Sequence, residues 1–134
     1  MLRIHRDQLD QILLHAAMAA PFEACGLIAG LHGTVTMVYP IRNVAANPAL
    51  RFAMDRQEQV RAMIDLDHRN LDLLAIFHSH PPGQSAWPSS VDLAEITYPG
   101  ALNMILAPAS DGLWSVAVFD LGKGSVARRD LLIY

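Results

Sequence analysis

Five consecutive apolar residues, Leu73-Leu74-Ala75-Ile76-Phe77, run directly into His78-Ser79-His80-Pro81, and a proline-rich loop then leads to Ser89-Ser90-Val91-Asp92. A short, wholly apolar run bounded by turn residues fits a strand covered on both faces, which belongs in a sheet packed between helices. Side chains two apart on a strand point to one side, so His78 and His80 are neighbours facing the same way. They fall where the strand passes into a loop, the carboxyl end at which open α/β sheets build sites. Asp92 lies in the first turn of the helix that follows and can fold back toward both imidazoles. Two imidazoles and a carboxylate make a three-ligand site with an open position, suited to catalytic Zn²⁺. Each half also has a purely structural explanation, as a pair of satisfied loop histidines and as a Ser-x-x-Asp capping box. What favours the site is that one short loop joins a strand exit to a helix start.

The other segments supply the frame. After Asp7, read as an N-cap, Leu9, Ile12, Leu13 and Ala16 follow helical spacing up to Pro21. "CGLIAGLHGTVTMVYP" reads as a hairpin turning at His32-Gly33. "NVAANPALRF" is an irregular connector, and Asp55 with Glu58 opens a second amphipathic helix carrying Val60, Met63 and Ile64 on one face. "SSVDLAEI" is a short helix ending before Pro99-Gly100, while "LNMILAP", "LWSVAVFD" and "SVARRDLLIY" read as three strands. The expected order is α-β-β-α-β-α-β-β-β, an α/β domain with a mixed central sheet flanked by helices. With 134 residues and no linker or repeat, it is read as one domain, 1–134.

Charge and composition narrow the function. Ten Lys and Arg stand against thirteen Asp and Glu, a net charge of −3 that offers no surplus for neutralising phosphates, so no nucleic acid is expected. No apolar window is long enough to span a bilayer, and the N-terminal residues lack a signal-peptide core, so a cytoplasmic protein without membrane contact is expected. The single cysteine, Cys25, agrees with a reducing compartment.

Hydrolysis at a metal also needs a general base. Glu23, in "PFEACGLIAG" just ahead of an apolar strand, is a carboxylate with no obvious surface or capping role. "EACGLIAG" followed by "AIFHSHPPGQSAWPSSVD" resembles the JAMM/MPN (JAB-type) metalloprotease domain of the stand-alone prokaryotic kind, and the likeness extends through "PIRNVAANPALRFAMD" to the strand-rich tail. The resemblance implies a cytidine-deaminase-like architecture and a zinc-dependent peptidase or isopeptidase. It implies that His78, His80 and Asp92 bind zinc, with water completing the tetrahedron, that Glu23 is the general base, and that Ser89 stabilises the oxyanion. The implied substrate is a ubiquitin-like or sulphur-carrier protein, cut after its C-terminal Gly-Gly, and the oligomeric state is left open, monomer or dimer. The family usually places seven residues between its second histidine and its serine. Here Pro81 to Pro88 makes eight, and the extra residue is expected to bulge the loop near Gly83-Gln84 without moving Asp92.

Two relatives of the same kind compete with this reading, a non-catalytic MPN-type scaffold and a RadC-like protein linked to DNA repair. The full set of metal and base positions argues against the first, and the absence of a basic patch against the second. A cysteine peptidase built on Cys25 leaves His78, Ser89 and Asp92 without a shared purpose. Cys25 reads as a small buried residue that can share a face with Glu23, Trp87 as a loop anchor, and His5, His15, His32 and His68 as solvated. An exposed strand near the metal is expected to receive the substrate tail by main-chain pairing.

Overall fold

In chain order the elements of the computed structural model are β1 (Leu2–Ile4), α1 (Arg6–Ala19), β2 (Cys25–Leu31), β3 (Thr34–Ile41), α2 (Arg56–His68), β4 (Asp72–Ser79), α3 (Ser90–Ala94), β5 (Leu102–Pro108), β6 (Trp114–Asp120), a 3-10 turn (Gly122–Gly124), β7 (Ala127–Arg129) and β8 (Leu131–Ile133). Residues 1–134 are described, apart from the side chain of Lys123. All eight strands form one sheet in the order β7-β6-β5-β4-β2-β3-β1-β8. The β4–β5 pair is parallel, β2 runs antiparallel to both β3 and β4, and β1 runs parallel to β3 and β8. This is the expected mixed sheet.

The alternation of β2, β4 and β5 decides which face becomes the core and which carries the site. Ile28, Ala75, Phe77, Met104 and Leu106 point to one side, where Leu9 and Ile12 of α1 cover them together with Leu2 and Ile4 of β1. Filling that layer with fully buried side chains contributes roughly 1.5–3 kcal/mol for each large one. On the other side Leu27, Ile41 and Ile76 pack under Ala62 of α2, and Ile105, Ala117 and Phe119 pack against Leu93 and Ile96. Cys25 stands opposite His78 in the ladder and therefore shares this second face with it.

The β2–β3 hairpin turns at His32-Gly33 as expected, with φ of 52° and 78°, the two consecutive positive values that suit a two-residue connection. Other expectations are corrected. The N-cap of α1 is His5, whose ring accepts from the Asp7 N–H while the Gln8 side chain accepts from the His5 N–H; Asp7 sits in the first turn. In α2, Asp55 caps as expected and Met63 packs against the core, but Val60 and Ile64 are 49% and 53% exposed, and it is Ala62 and Leu66 that are buried. "SVARRDLLIY" is not one strand: β7 and β8 lie at opposite edges of the sheet, with only Asp130 between them. One residue spans no more than about 7 Å between its flanking Cα atoms. The sheet must therefore curl until its two edges nearly meet. Leu2 to Ile4, which had no assigned element, pairs with β8 along that edge.

Candidate metal centre

β4 delivers the two histidines. His78 occupies its penultimate position, and His80, just beyond its end, is still held because its N–H donates to the Leu106 carbonyl at 2.7 Å. Ser79 between them turns the other way and clips the preceding segment in place. Its N–H donates to the Ala24 carbonyl at 3.0 Å, and its hydroxyl accepts from the Ala24 N–H at 2.8 Å. Glu23 is thus fastened one residue away from a bond to the histidine strand.

Asp92 comes from α3. Ser89 caps this helix, accepting at Oγ from the Asp92 N–H at 3.1 Å, while the Asp92 carboxylate accepts from the Ser89 N–H at 2.8 Å. The Ser-x-x-Asp capping box therefore exists, and it aims the carboxylate at the histidines. Asp92 Oδ1 lies 3.1 Å from His78 Nε2, Asp92 Oδ2 lies 2.9 Å from His80 Nε2, and the two Nε2 atoms are 3.3 Å apart. Donors set ~2.0–2.1 Å from a tetrahedral Zn²⁺ stand about 3.3–3.4 Å from one another, close to these separations. His80 donates from Nδ1 to the Ser85 carbonyl at 2.7 Å, a contact that leaves its Nε2 lone pair facing the cluster. The His78 ring stacks on Phe52, with centroids 4.8 Å apart and planes at 25°. The three side chains fit a metal ion, and both histidines are buried.

Electrostatics agree with the geometry. Burial alone would push the Asp92 carboxyl up, but hydrogen bonds to His78 and His80 outweigh it and hold the group well below the usual carboxylate range. His80 is raised: burial opposes its charge, and the bond to Asp92, with help from the Ser85 carbonyl, more than offsets that. Glu23 is 3% exposed, and its Oε1 has no hydrogen-bond partner. Burial pushes it up to about 7, the Asp92 charge pushes in the same direction, and His80 opposes. A carboxyl poised near neutrality next to three converging metal donors is suited to proton transfer.

Other expectations meet mixed outcomes. The loop from Pro81 turns at Gly83, whose φ of 95° suits glycine, in the exposed part, while Ser85 still reaches His80. Cys25 is buried and its thiol is pushed up to about 12 by burial, with Glu23 adding to the shift, so it is no nucleophile. Trp87 is half exposed and packs edge-on against Phe119, away from the cleft beside the metal donors. His15 is not solvated: it is half-buried, its ring meets Phe77 edge-on, and its Nε2 has no partner. The site strands β2, β4 and β5 are paired on both sides, so the substrate tail finds no free sheet edge there. Instead a cleft of about 430 Å³ opens beside His78 and Asp92, walled by Arg51, Phe52, Met54 and Asn103. Phe52 and Asn43, both in the connector, carried no periodic signal that could have singled them out.

Comparison with known proteins agrees with the residues. A model of the prokaryotic homologues of the JAB domain matches residues 5–121. The chain is 34% identical over 113 residues to the desampylase of Haloferax volcanii, covering 80% of this chain and 81% of that one. It is 29% identical over 130 residues to the CysO-cysteine peptidase of Mycobacterium tuberculosis, covering 96% and 88%. A JAB1/MPN domain protein from Archaeoglobus fulgidus superposes with a TM-score of 0.61 at 21% identity over 100% of this chain and 97% of that one, a likeness of fold. With the family model matched across most of its length, this chain belongs to the prokaryotic homologues of the JAB domain.

Proposed function

We propose that the chain is a zinc-dependent peptidase or isopeptidase that hydrolyses the amide bond after the C-terminal Gly-Gly of a ubiquitin-like or sulphur-carrier protein in the cytoplasm. The observation that carries this reading is the convergence of His78, His80 and Asp92 beside a buried carboxyl that has an oxygen to spare. When bound, Zn²⁺ supplies an acidified water and a Lewis acid for the scissile carbonyl. Glu23 takes up a proton and returns it to the leaving amine, a cycle for which a group near neutrality is well matched. The Ser89 hydroxyl accepts the Asp92 N–H through its oxygen, so its own proton stays available to donate toward the carbonyl oxygen as charge develops there. The relatives named for desampylation and for a CysO-cysteine peptidase support this substrate class. The cleft beside the donors supports a slender tail, for which glycines suit best. A scaffold role is disfavoured by Glu23, because burying an ionisable carboxyl without a partner costs stability that a mere scaffold has no reason to give up.

The test is mass spectrometry of a ubiquitin-like carrier extended by a few residues after Gly-Gly, beside the same carrier with Val-Val in that place. Cleavage of the first alone, lost with a zinc chelator and lost in Glu23→Gln that still holds metal, is expected. Equal cleavage of both carriers, or of neither by zinc-loaded protein, rejects the substrate.

A further inference from the structure

The connector between β3 and α2 contains no regular element, yet one side chain organises it. Asn43 Oδ1 accepts from the N–H groups of Ala45 and Ala53, each at 3.0 Å. Asn43 Nδ2 faces three carbonyls, those of Glu23 at 2.9 Å, Arg51 at 3.1 Å and Pro48 at 3.4 Å. A side-chain amide has two N–H groups, so the two shorter contacts take one each and the third is shared. Two donors on one side and three acceptors on the other leave no ambiguity about which way the amide points.

Two consequences meet at the metal donors. The Glu23 backbone is held from both sides by the connector, its carbonyl by Asn43 and its N–H by the Pro48 carbonyl at 2.8 Å, while its carboxyl is left free. Arg51 and Ala53, the neighbours of Phe52, are both bound to Asn43, and the Phe52 ring lies stacked on His78. We propose that Asn43 is a positioning residue for hydrolysis: one amide fixes the backbone of Glu23 and both flanks of Phe52, and so sets the proton-transferring carboxyl at a fixed separation from the His78 ring. This rests on the reading of Glu23 as the general base.

Asn43→Asp tests it with the least disturbance. The variant keeps an acceptor for Ala45 and Ala53 but sets an oxygen against the Glu23, Arg51 and Pro48 carbonyls, so the links that Asn43 donates are severed while those it accepts remain. At a temperature where the variant is folded and holds its metal, kcat on the extended Gly-Gly carrier is expected to fall on the order of 10–10²-fold with KM changed much less, as a small misplacement of a reacting group allows. In the Glu23→Gln background the same change is expected to add little, since both act on one group. Amide hydrogen exchange gives a readout that needs no substrate: the Glu23 N–H, bonded to the Pro48 carbonyl that the Asn43 amide also contacts, should exchange faster in Asn43→Asp while Ala45, Ala53 and the β4 amides stay protected, whereas Asn43→Ala should release Ala45 and Ala53 as well. Wild-type kcat in Asn43→Asp, a loss confined to KM, or a full additional loss in the Glu23→Gln background overturns the proposal and leaves a loop clasp. If Glu23→Gln alone keeps full turnover, the general-base reading falls, and this inference with it.

Discussion

At the scale of single residues, the site depends on what burial does to each carboxyl. Glu23 is pushed up to about 7 from an ordinary value of 4.5, with burial as the main cause. Between those two values the folded protein binds more protons than the unfolded chain, so this group's contribution to stability declines as pH rises through that window. In metal-free protein, denaturation midpoints between pH 4.5 and 7.5 should therefore fall less steeply for Glu23→Gln than for wild type. Parallel profiles would show that the carboxyl is not held protonated. A cation at His78, His80 and Asp92 favours the ionised form, so the acid limb of activity in loaded protein should lie below about 7. The convergence of His78, His80 and Asp92 was legible in the sequence, and Glu23 stood out there as a candidate, because each position follows a local rule: strand alternation, a helix first turn, an acid at a strand entrance. Asn43, Phe52 and Ser85 were not, because their work is done through contacts across loops that follow no period.

At the scale of elements, the close approach of β2 to its neighbours leaves no room for a side chain at position 26. A Cβ there would run into the Phe77 ring and the Tyr39 carbonyl, one of them backbone that cannot step aside. Gly26→Ala should thus destabilise by about 1–3 kcal/mol or more, read as a lower denaturation midpoint, and should shift β4, reducing metal affinity. Unchanged stability would mean that the strands sit further apart than described. Helix starts were read well where a cap is made by a short polar side chain, as at Asp55 and Ser89. The α1 start was misplaced because an imidazole did that work. The buried face of α2 was misjudged for a different reason. Val60 and Ile64 are as apolar as the core requires, but the helix faces the sheet through Ala62 and Leu66, with Met63 alone of the three expected residues packed against that cluster.

For the whole molecule, the division of labour follows from the sheet. One face is closed by α1 with β1, and the other is open enough between α2 and α3 to hold the donors and the cleft. The mixed α/β class was readable from alternating periodicities. The curl that brings β7 and β8 round to neighbouring positions was not, since β1 and β8 are three residues each, too short to show a period, and are held by pairing with one another and, for β1, with β3. Among the described residues no helix is long and apolar enough to cross a membrane. The central claim is that the fold assembles His78, His80 and Asp92 into one metal site with Glu23 beside it as a base and not as a ligand. Elemental analysis of the purified protein tests this most directly. About one Zn²⁺ per chain is expected in wild type and in Glu23→Gln, as a three-ligand site requires, with loss in His78→Ala and in Asp92→Ala; unchanged metal in both of those variants, or metal lost in Glu23→Gln, would contradict it.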